Sequence, residues 1–149
     1  MVDNRSAPPG PLVPHLCYRD TNVAAEWLCR AFGFREVLRW GSPDDLSVQL
    51  AVGDGAVFLR APRADDGLTG RTMRPPFPGE GSHSMLVPVL DVDAHCRVAM
   101  SQGARLQREL QTYPQIGERQ YTVLDLDGHV WTFSESVADV DPRAWAEIR

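Results

Sequence analysis

The sequence has little of the positive charge that a nucleic-acid-binding surface needs. Its 149 residues carry a formal net charge of -5, and the arginines are scattered along the chain rather than clustered. Because binding to a phosphate backbone depends on grouped Lys and Arg side chains, we expect no nucleic-acid partner.

Long apolar runs are also absent. No stretch of the sequence is apolar for long enough to cross a bilayer. Residues 1–11, MVDNRSAPPGP, are polar and rich in proline, whereas a secretory signal needs an apolar segment. We therefore expect no membrane partner and a cytoplasmic location.

Cysteine is scarce, and its spacing fits no known framework. Cys17, Cys29 and Cys96 are odd in number and form no C-x-x-C pair. Each lies in a segment that reads as a core strand or helix. These positions favour buried reduced thiols over disulfides or a zinc site.

What the sequence does contain is a regular order of elements, starting in its first half. A short apolar run over residues 12–18 predicts a strand, with Pro14 near its beginning. Asp20 or Thr21 offers a helix N-cap, apolar residues then recur at i, i+4, and Gly33 stands at the usual C′ position. Residues 35–40, 46–52 and 56–60 predict three strands.

The second half repeats this order. Residues 84–90 predict a strand, a helix follows from Asp91 or Asp93 to Gly103, and residues 105–112, 119–125 and those after Gly128 predict three more strands. The capping and turn residues recur about 70 positions after their counterparts in the first half. The fold class is therefore α+β, with two tandem βαβββ modules.

Composition divides the chain further. We assign residues 1–10 to a flexible tail, 11–62 to the first module and 83–136 to the second. Residues 63–82 are rich in Gly and Pro and are predicted to be a linker or lid. Residues 137–149 are predicted to hold a short C-terminal helix that is capped by Asp141, begins at Pro142 and carries Trp145 and Ile148 on one side.

One hairpin carries most of the information about the family. Residues 121–134, YTVLDLDGHVWTFS, place turn residues between two runs of β-formers. This hairpin, the segments Ala31-Phe32-Gly33-Phe34 and Gly103-Ala104, residues 117–121 and the duplication together resemble the vicinal oxygen chelate superfamily. That superfamily includes glyoxalase I, bleomycin-resistance proteins and extradiol dioxygenases. The resemblance implies that each module curls its sheet into half of a cup that holds a small molecule.

Metal-using members of that family place four ligands in the cup, usually two His and two Glu. Carried over one position at a time, these ligands fall on Val13, Phe58, Ser84 and Thr132. None of the four is a usual metal ligand, so we predict no metal and no cofactor. An alternative stays open, in which His15, His83 and an unidentified acid bind a divalent ion.

The remaining functional candidates come from strand alternation and, for Phe58, Ser84 and Thr132, from the ligand positions that the resemblance implies. We predict no catalytic residue, because no Ser-His-Asp or Cys-His order is present and Asp125 and Asp127 suit local bonding in a turn. Trp131 and Phe133 are predicted to be core if Thr132 faces the cup, and His95 is predicted to face solvent. The predicted ligand-binding residues are His15, Trp40, Phe58, Arg60, Ser84, Tyr121 and Thr132.

The function predicted from these residues is metal-independent binding of a small molecule, aromatic or anionic, in the manner of bleomycin-resistance proteins. A metal-dependent glyoxalase-like lyase, isomerase or dioxygenase is the alternative from the enzyme class. A scaffold or regulatory dimer, whose cup is filled by its own side chains, is the third hypothesis. A homodimer is expected because exposed sheet edges need covering.

Overall fold

The computed structural model describes residues 1–65 and 67–147, with the side chains described as far as Trp145. Two compact units divide the chain, the first spanning Met1–Pro76 and the second beginning at Phe77. The first contains β1 (His15–Cys17), α1 (Thr21–Phe32), β2 (Arg35–Trp40), β3 (Ser47–Val52) and β4 (Gly55–Arg60). The second contains β5 (Met85–Pro88), α2 (Val92–Ser101), β6 (Arg105–Tyr113), β7 (Glu118–Leu124) and β8 (Val130–Ser136).

The first unit is a four-stranded sheet with α1 on one face. Its strand order is β1-β4-β3-β2, with β1 and β4 parallel and the other pairs antiparallel. Asp20 caps α1 by accepting a hydrogen bond from the Val23 amide at 3.0 Å, and Gly33 ends it with φ of 73°. Leu28 of α1 is buried together with Val48, Leu50 and Leu59 of the sheet, so these residues form the core of the unit.

Strand β1 is shorter than the sequence predicts. The predicted strand covers residues 12–18, whereas β1 spans only His15–Cys17. Pro14 has no amide hydrogen, and its carbonyl oxygen accepts a hydrogen bond from the Phe58 amide at 2.9 Å. The proline therefore marks the beginning of the strand.

The second unit has the same topology. Its strand order is β5-β8-β7-β6, again with a parallel first pair, β5 with β8. Tyr121, Val123, Trp131 and Phe133 are each at most 1% exposed and form the centre of its core. The predicted α+β fold with two βαβββ modules is confirmed. No helix within the described residues is long and apolar enough to cross a membrane.

The segment predicted as a linker or lid contains a closed loop that belongs to the first unit. Arg63 and Met73 form an antiparallel bridge with backbone hydrogen bonds of 3.0 and 2.9 Å. The Thr72 hydroxyl donates to the Ala64 carbonyl at 2.9 Å, and Arg63 pairs with Asp45. The Arg63 end of this loop is therefore linked by an ion pair to the 3-10 helix Pro43–Asp45, which lies between β2 and β3.

The predicted C-terminal helix is present as a 3-10 helix over Pro142–Glu147. Trp145 is 50% exposed. Ile148, which was predicted to share a side with Trp145, lies outside the described residues.

Candidate functional site

The candidate site lies on the face of the first sheet that α1 does not cover, which we call the helix-free face. Residues alternate across each strand, and Val48, Leu50 and Leu59 take the face that packs on α1. The helix-free face therefore carries His15 and Cys17 of β1, Phe58 and Arg60 of β4, Gln49 and Ala51 of β3, and Arg35, Leu38 and Trp40 of β2.

A β-bulge is what brings Trp40 to this face. The pairing of β2 with β3 shifts between Glu36 and Leu38, so that Leu38 lies opposite Gln49 and Trp40 opposite Ser47. Without the extra residue, the side chains after the bulge would change faces. Arg39 takes the other face, where it donates a hydrogen bond to Asn22 of α1 at 2.8 Å.

Three aromatic rings meet on the helix-free face. Phe58 lies opposite His15 in the parallel ladder, and their ring centroids are 4.8 Å apart at an interplanar angle of 65°. Trp40 contacts Phe58 from the other side, with centroids 5.5 Å apart at 80°. Trp40 is 43% exposed, so this aromatic group, which we call the His15–Phe58–Trp40 cluster, presents ring surface to solvent.

Polar groups border the cluster. Arg60 follows Phe58 on the same face of β4 and lies opposite Cys17. Gln49 is the cross-strand partner of Phe58 and is only 4% exposed. Sequence reasoning placed Arg60 here but missed Gln49 as a site residue, although the alternation of Ser47 and Gln49 with Val48 and Leu50 was visible.

A cavity of about 370 Å³ adjoins the cluster on the same face. Its floor includes Gln49, Ala51 and Ala56, and β2 contributes Arg35, Val37 and Leu38. Residues of the N-terminal tail, Arg5 among them, line its remaining side. The cavity lies within the range of volumes typical of small-molecule sites.

The residues in the implied ligand positions do not suit a divalent metal. In the first unit these are Val13 and Phe58, neither of which has a lone pair to donate. In the second unit Ser84 is exposed and precedes β5, and the Thr132 hydroxyl shares a 2.8 Å hydrogen bond with that of Thr122. Hydroxyl groups without carboxylate or imidazole partners are weak ligands.

Among the described residues, one group of three side chains could hold a metal by proximity: Asp91, Asp93 and Glu135. Each of these carboxylates already has a structural partner within the protein. Asp91 caps α2 through the Ala94 amide at 2.9 Å, and Glu135 accepts from the Val92 amide at 2.9 Å. Arg119 contacts Asp93 through two hydrogen bonds of 2.8 and 2.9 Å and holds the pKa of that carboxyl below its ordinary value. The three carboxylates therefore lie at the N-terminus of α2, and Arg119 is their counter-ion.

Thr132 has the orientation that the sequence predicts. It lies on the opposite face of β8 from the buried Trp131 and Phe133, which confirms that these aromatics are core. Further along the same face, the Gln120 amide donates to Ser134 at 3.1 Å, and Ser134 and Ser136 both donate to the Glu118 carboxylate. This face of the second sheet is therefore lined by polar groups bonded to one another.

Tyr121 was predicted to be a ligand-binding residue, like Thr132, but its side chain lies on the opposite face of the sheet from Thr132. Tyr121 lies directly opposite Phe133, so its side chain takes the face that packs on α2 and is 1% exposed. Its hydroxyl shares a 2.6 Å hydrogen bond with Nδ1 of His95. His95 was predicted to face solvent, but its ring lies 4.1 Å from that of Phe133 and is part of the core contact.

The family hairpin is held together by one buried carboxylate. Asp125 is 1% exposed, and its Oδ1 accepts hydrogen bonds of 3.0 Å from the amides of Asp127 and His129. Its Oδ2 accepts a 3.0 Å hydrogen bond from the indole nitrogen of Trp131. The role predicted for Asp125, hydrogen bonding within the turn, is confirmed. Its hydrogen bond with Trp131 also connects the turn to the core.

Comparison with known proteins agrees with this geometry. The family model described as Glyoxalase/Bleomycin resistance protein/Dioxygenase superfamily matches residues 12–133. No curated protein sequence matches the chain. The solved structure of TioX from Micromonospora sp. ML1 is 35% identical, covers 84% of this chain and 97% of its own, and superposes with a TM-score of 0.64.

Two more distant structures share the fold. A glyoxalase/bleomycin resistance protein/dioxygenase family enzyme from Burkholderia phytofirmans PsJN is 20% identical, with coverages of 83% and 96% and a TM-score of 0.63. The fosfomycin resistance protein FosX from Listeria monocytogenes, solved with Mn(II) and sulfate, is 12% identical, with coverages of 85% and 91% and a TM-score of 0.63. At these identities the likeness concerns the fold alone.

Proposed function

We propose that this chain, which belongs to the glyoxalase/bleomycin resistance protein/dioxygenase superfamily, binds a small aromatic molecule on the helix-free face of its first unit without a metal. The observation that carries the proposal is the His15–Phe58–Trp40 cluster, with ring centroids 4.8 and 5.5 Å apart. Phe58 stands at a position where the family resemblance implies a metal ligand. An aromatic wall thus takes the place of a coordinating group.

The chemistry of the cluster favours a planar ligand. The rings of His15 and Trp40 both meet Phe58 edge-on, at 65° and 80°, so a further ring can pack edge-on or offset against exposed ring surface. Removing one ring of the ligand from water contributes about 1.5–3 kcal/mol. Gln49, which is 4% exposed beside Phe58, offers an amide that can orient a polar substituent.

Two other functions remain as alternatives for the same fold. A metal-dependent lyase, isomerase or dioxygenase requires ligands that Val13, Phe58, Ser84 and Thr132 do not provide. A scaffold or regulatory dimer requires that no small molecule enter the site. Sequestration of the ligand by burial alone is the function we favour, because it requires only the groups described above.

Binding of two- and three-ring aromatic acids, of which 2-naphthoate is the smallest, tests the proposal. We expect 2-naphthoate to bind the EDTA-treated protein at one site per chain and to quench the fluorescence of Trp40. Replacing Phe58 by alanine should weaken binding about 10- to 100-fold, since ring burial and ring-ring contact are lost together. Phe58→Leu, which keeps apolar volume but no ring, should give a smaller loss. Titration calorimetry measures both.

Val23→Ala is the control, because Val23 is a 48% exposed apolar side chain of α1, on the other side of the first sheet. It should leave the affinity unchanged, and the melting temperatures of all variants should be compared without ligand. Binding that occurs only after Mn²⁺ or Zn²⁺ is added would replace the proposal by the enzyme alternative. No binding by any member of the series, with or without metal, would favour the scaffold.

A further inference from the structure

We infer that the cavity beside the His15–Phe58–Trp40 cluster holds an acidic group of the ligand, so that the bound molecule is the anion of an aromatic acid. The inference rests on the proposed function and adds the chemical class of the ligand. It also gives the N-terminal tail, predicted only as a flexible segment, a part in ligand selection.

The shape of the cavity follows from small side chains on neighbouring strands. Ala51 of β3 and Ala56 of β4 are cross-strand partners on the helix-free face. The next cross-strand pair on this face is Gln49 with Phe58. Two methyl groups beside two large side chains leave a hollow in the sheet surface, and residues of the tail line its other side, giving a volume of about 370 Å³.

The charge of the cavity lining is positive. Arg5 from the tail and Arg35 from β2 both line it, and Asp54 is the acidic residue of the lining. Neither guanidinium forms an ion pair with another residue in the part of the chain that the structure describes. In a chain with a net charge of -5, this excess of positive charge favours an anion, and guanidinium groups bind carboxylates with two parallel hydrogen bonds.

The tail presents Arg5 within a turn rather than on a free chain. The Ala7 amide donates to the Asn4 carbonyl at 3.0 Å, and the Ser6 amide donates to the Asn4 side-chain oxygen at 3.0 Å. Arg5 lies between these bonded residues. A turn of this kind reduces the conformational freedom that Arg5 loses when it contacts a ligand.

The cavity and the cluster are close enough for one small molecule to contact both. Gln49 borders the cavity and is also the cross-strand partner of Phe58. Ala51, opposite Arg35, is two residues further along β3, a distance of about 7 Å in an extended strand. A two-ring acid with its rings on Phe58 can therefore extend its carboxylate toward Arg35.

A pair of ligands of equal shape tests the inference: 2-naphthoate and its neutral analogue 2-naphthamide. We expect the unmodified protein to bind the acid more tightly than the amide. Arg5→Gln and Arg35→Gln should each weaken binding of the acid about three- to tenfold, as for exposed charge pairs, and leave binding of the amide unchanged.

Arg30→Gln is the matched control, since Arg30 is an exposed arginine in the last turn of α1 and away from the helix-free face; it should change neither affinity. Equal binding of acid and amide by the unmodified protein, or equal losses for both ligands in the variants, would overturn the inference while leaving the proposed function intact. Failure of the proposed function differs, because Phe58→Ala would then leave binding of both ligands unchanged.

Discussion

Replacing Asp125 by alanine should lower the free energy of unfolding by about 3–5 kcal/mol, because the substitution leaves two buried donors and one part-buried donor without their acceptor. These donors are the amides of Asp127 and His129 and the indole nitrogen of Trp131, each 3.0 Å from a carboxylate oxygen. Asp125 and Trp131 are both 1% exposed, so solvent water cannot reach the buried donors and accept their hydrogen bonds in place of the carboxylate. Urea unfolding followed by fluorescence measures the change.

Asp125→Asn separates the two parts of this network. The asparagine oxygen can still accept from the two turn amides, but its NH₂ group faces the indole N–H, so we expect a loss of about 2 kcal/mol. Trp131→Phe removes the indole donor and should reduce the additional cost of Asp125→Asn. Asp139→Ala, at an exposed position of the same unit, is the control. A loss for Asp125→Ala no greater than for Asp139→Ala would show that the turn holds without the carboxylate.

This network also explains why the sequence predicted so much of the fold. Asp125, Gly128 and Trp131 of the hairpin lie within seven residues of one another and interact locally. The turn that they form can therefore be predicted from the sequence without knowledge of the tertiary structure. The duplication then extended the assignment to the other unit. The helix end at Gly33 was placed correctly for the same reason, and the N-caps Asp20 and Asp91 were each one of two residues that the sequence left open.

The faces of strands were harder to predict than the strands themselves. Trp40 lies on the helix-free face only because of the bulge between Glu36 and Leu38. That segment contains no glycine or other residue type that would predict a bulge from the sequence. Tyr121 was assigned to the wrong face because its register with Phe133 was not applied. Once Phe133 is placed in the core, a partner directly opposite must share its face.

The burial of His95 was mispredicted for a different reason: its polar side chain was given more weight than its position in the helical pattern of buried residues. Histidine is intermediate between typical core and typical surface residues, so its type alone does not decide. Val92, Cys96 and Ala99 are buried, and His95 lies at i+3 from the first of them. That spacing places it on the side of the helix that faces the sheet. The polar ring is accommodated because the Tyr121 hydroxyl lies 2.6 Å from its Nδ1.

The buried phenol of Tyr121 makes stability depend on pH in the alkaline range. Burial raises the pKa of the Tyr121 phenol, and the negative charge of the ionised Cys96 thiolate raises it further. In the unfolded chain the phenol ionises near pH 10, whereas in the folded chain it stays protonated to higher pH. The unfolded state therefore binds fewer protons above pH 10, and the free energy of unfolding should fall by up to about 1.4 kcal/mol per pH unit from that pH upward.

Tyr121→Phe isolates this contribution, because Cys96 also ionises in the alkaline range and its pKa is raised by burial. Below pH 10 the variant should be less stable than the unmodified protein by about 1 kcal/mol, through loss of the hydrogen bond to His95. Above pH 10 the difference should shrink and then reverse, since the variant has no phenol to keep protonated. Urea unfolding of both proteins at a series of pH values gives the difference directly. A difference that stays constant across the alkaline range would mean that the phenol ionises as easily in the folded protein as in the unfolded one, and that His95 and Phe133 do not exclude water from it.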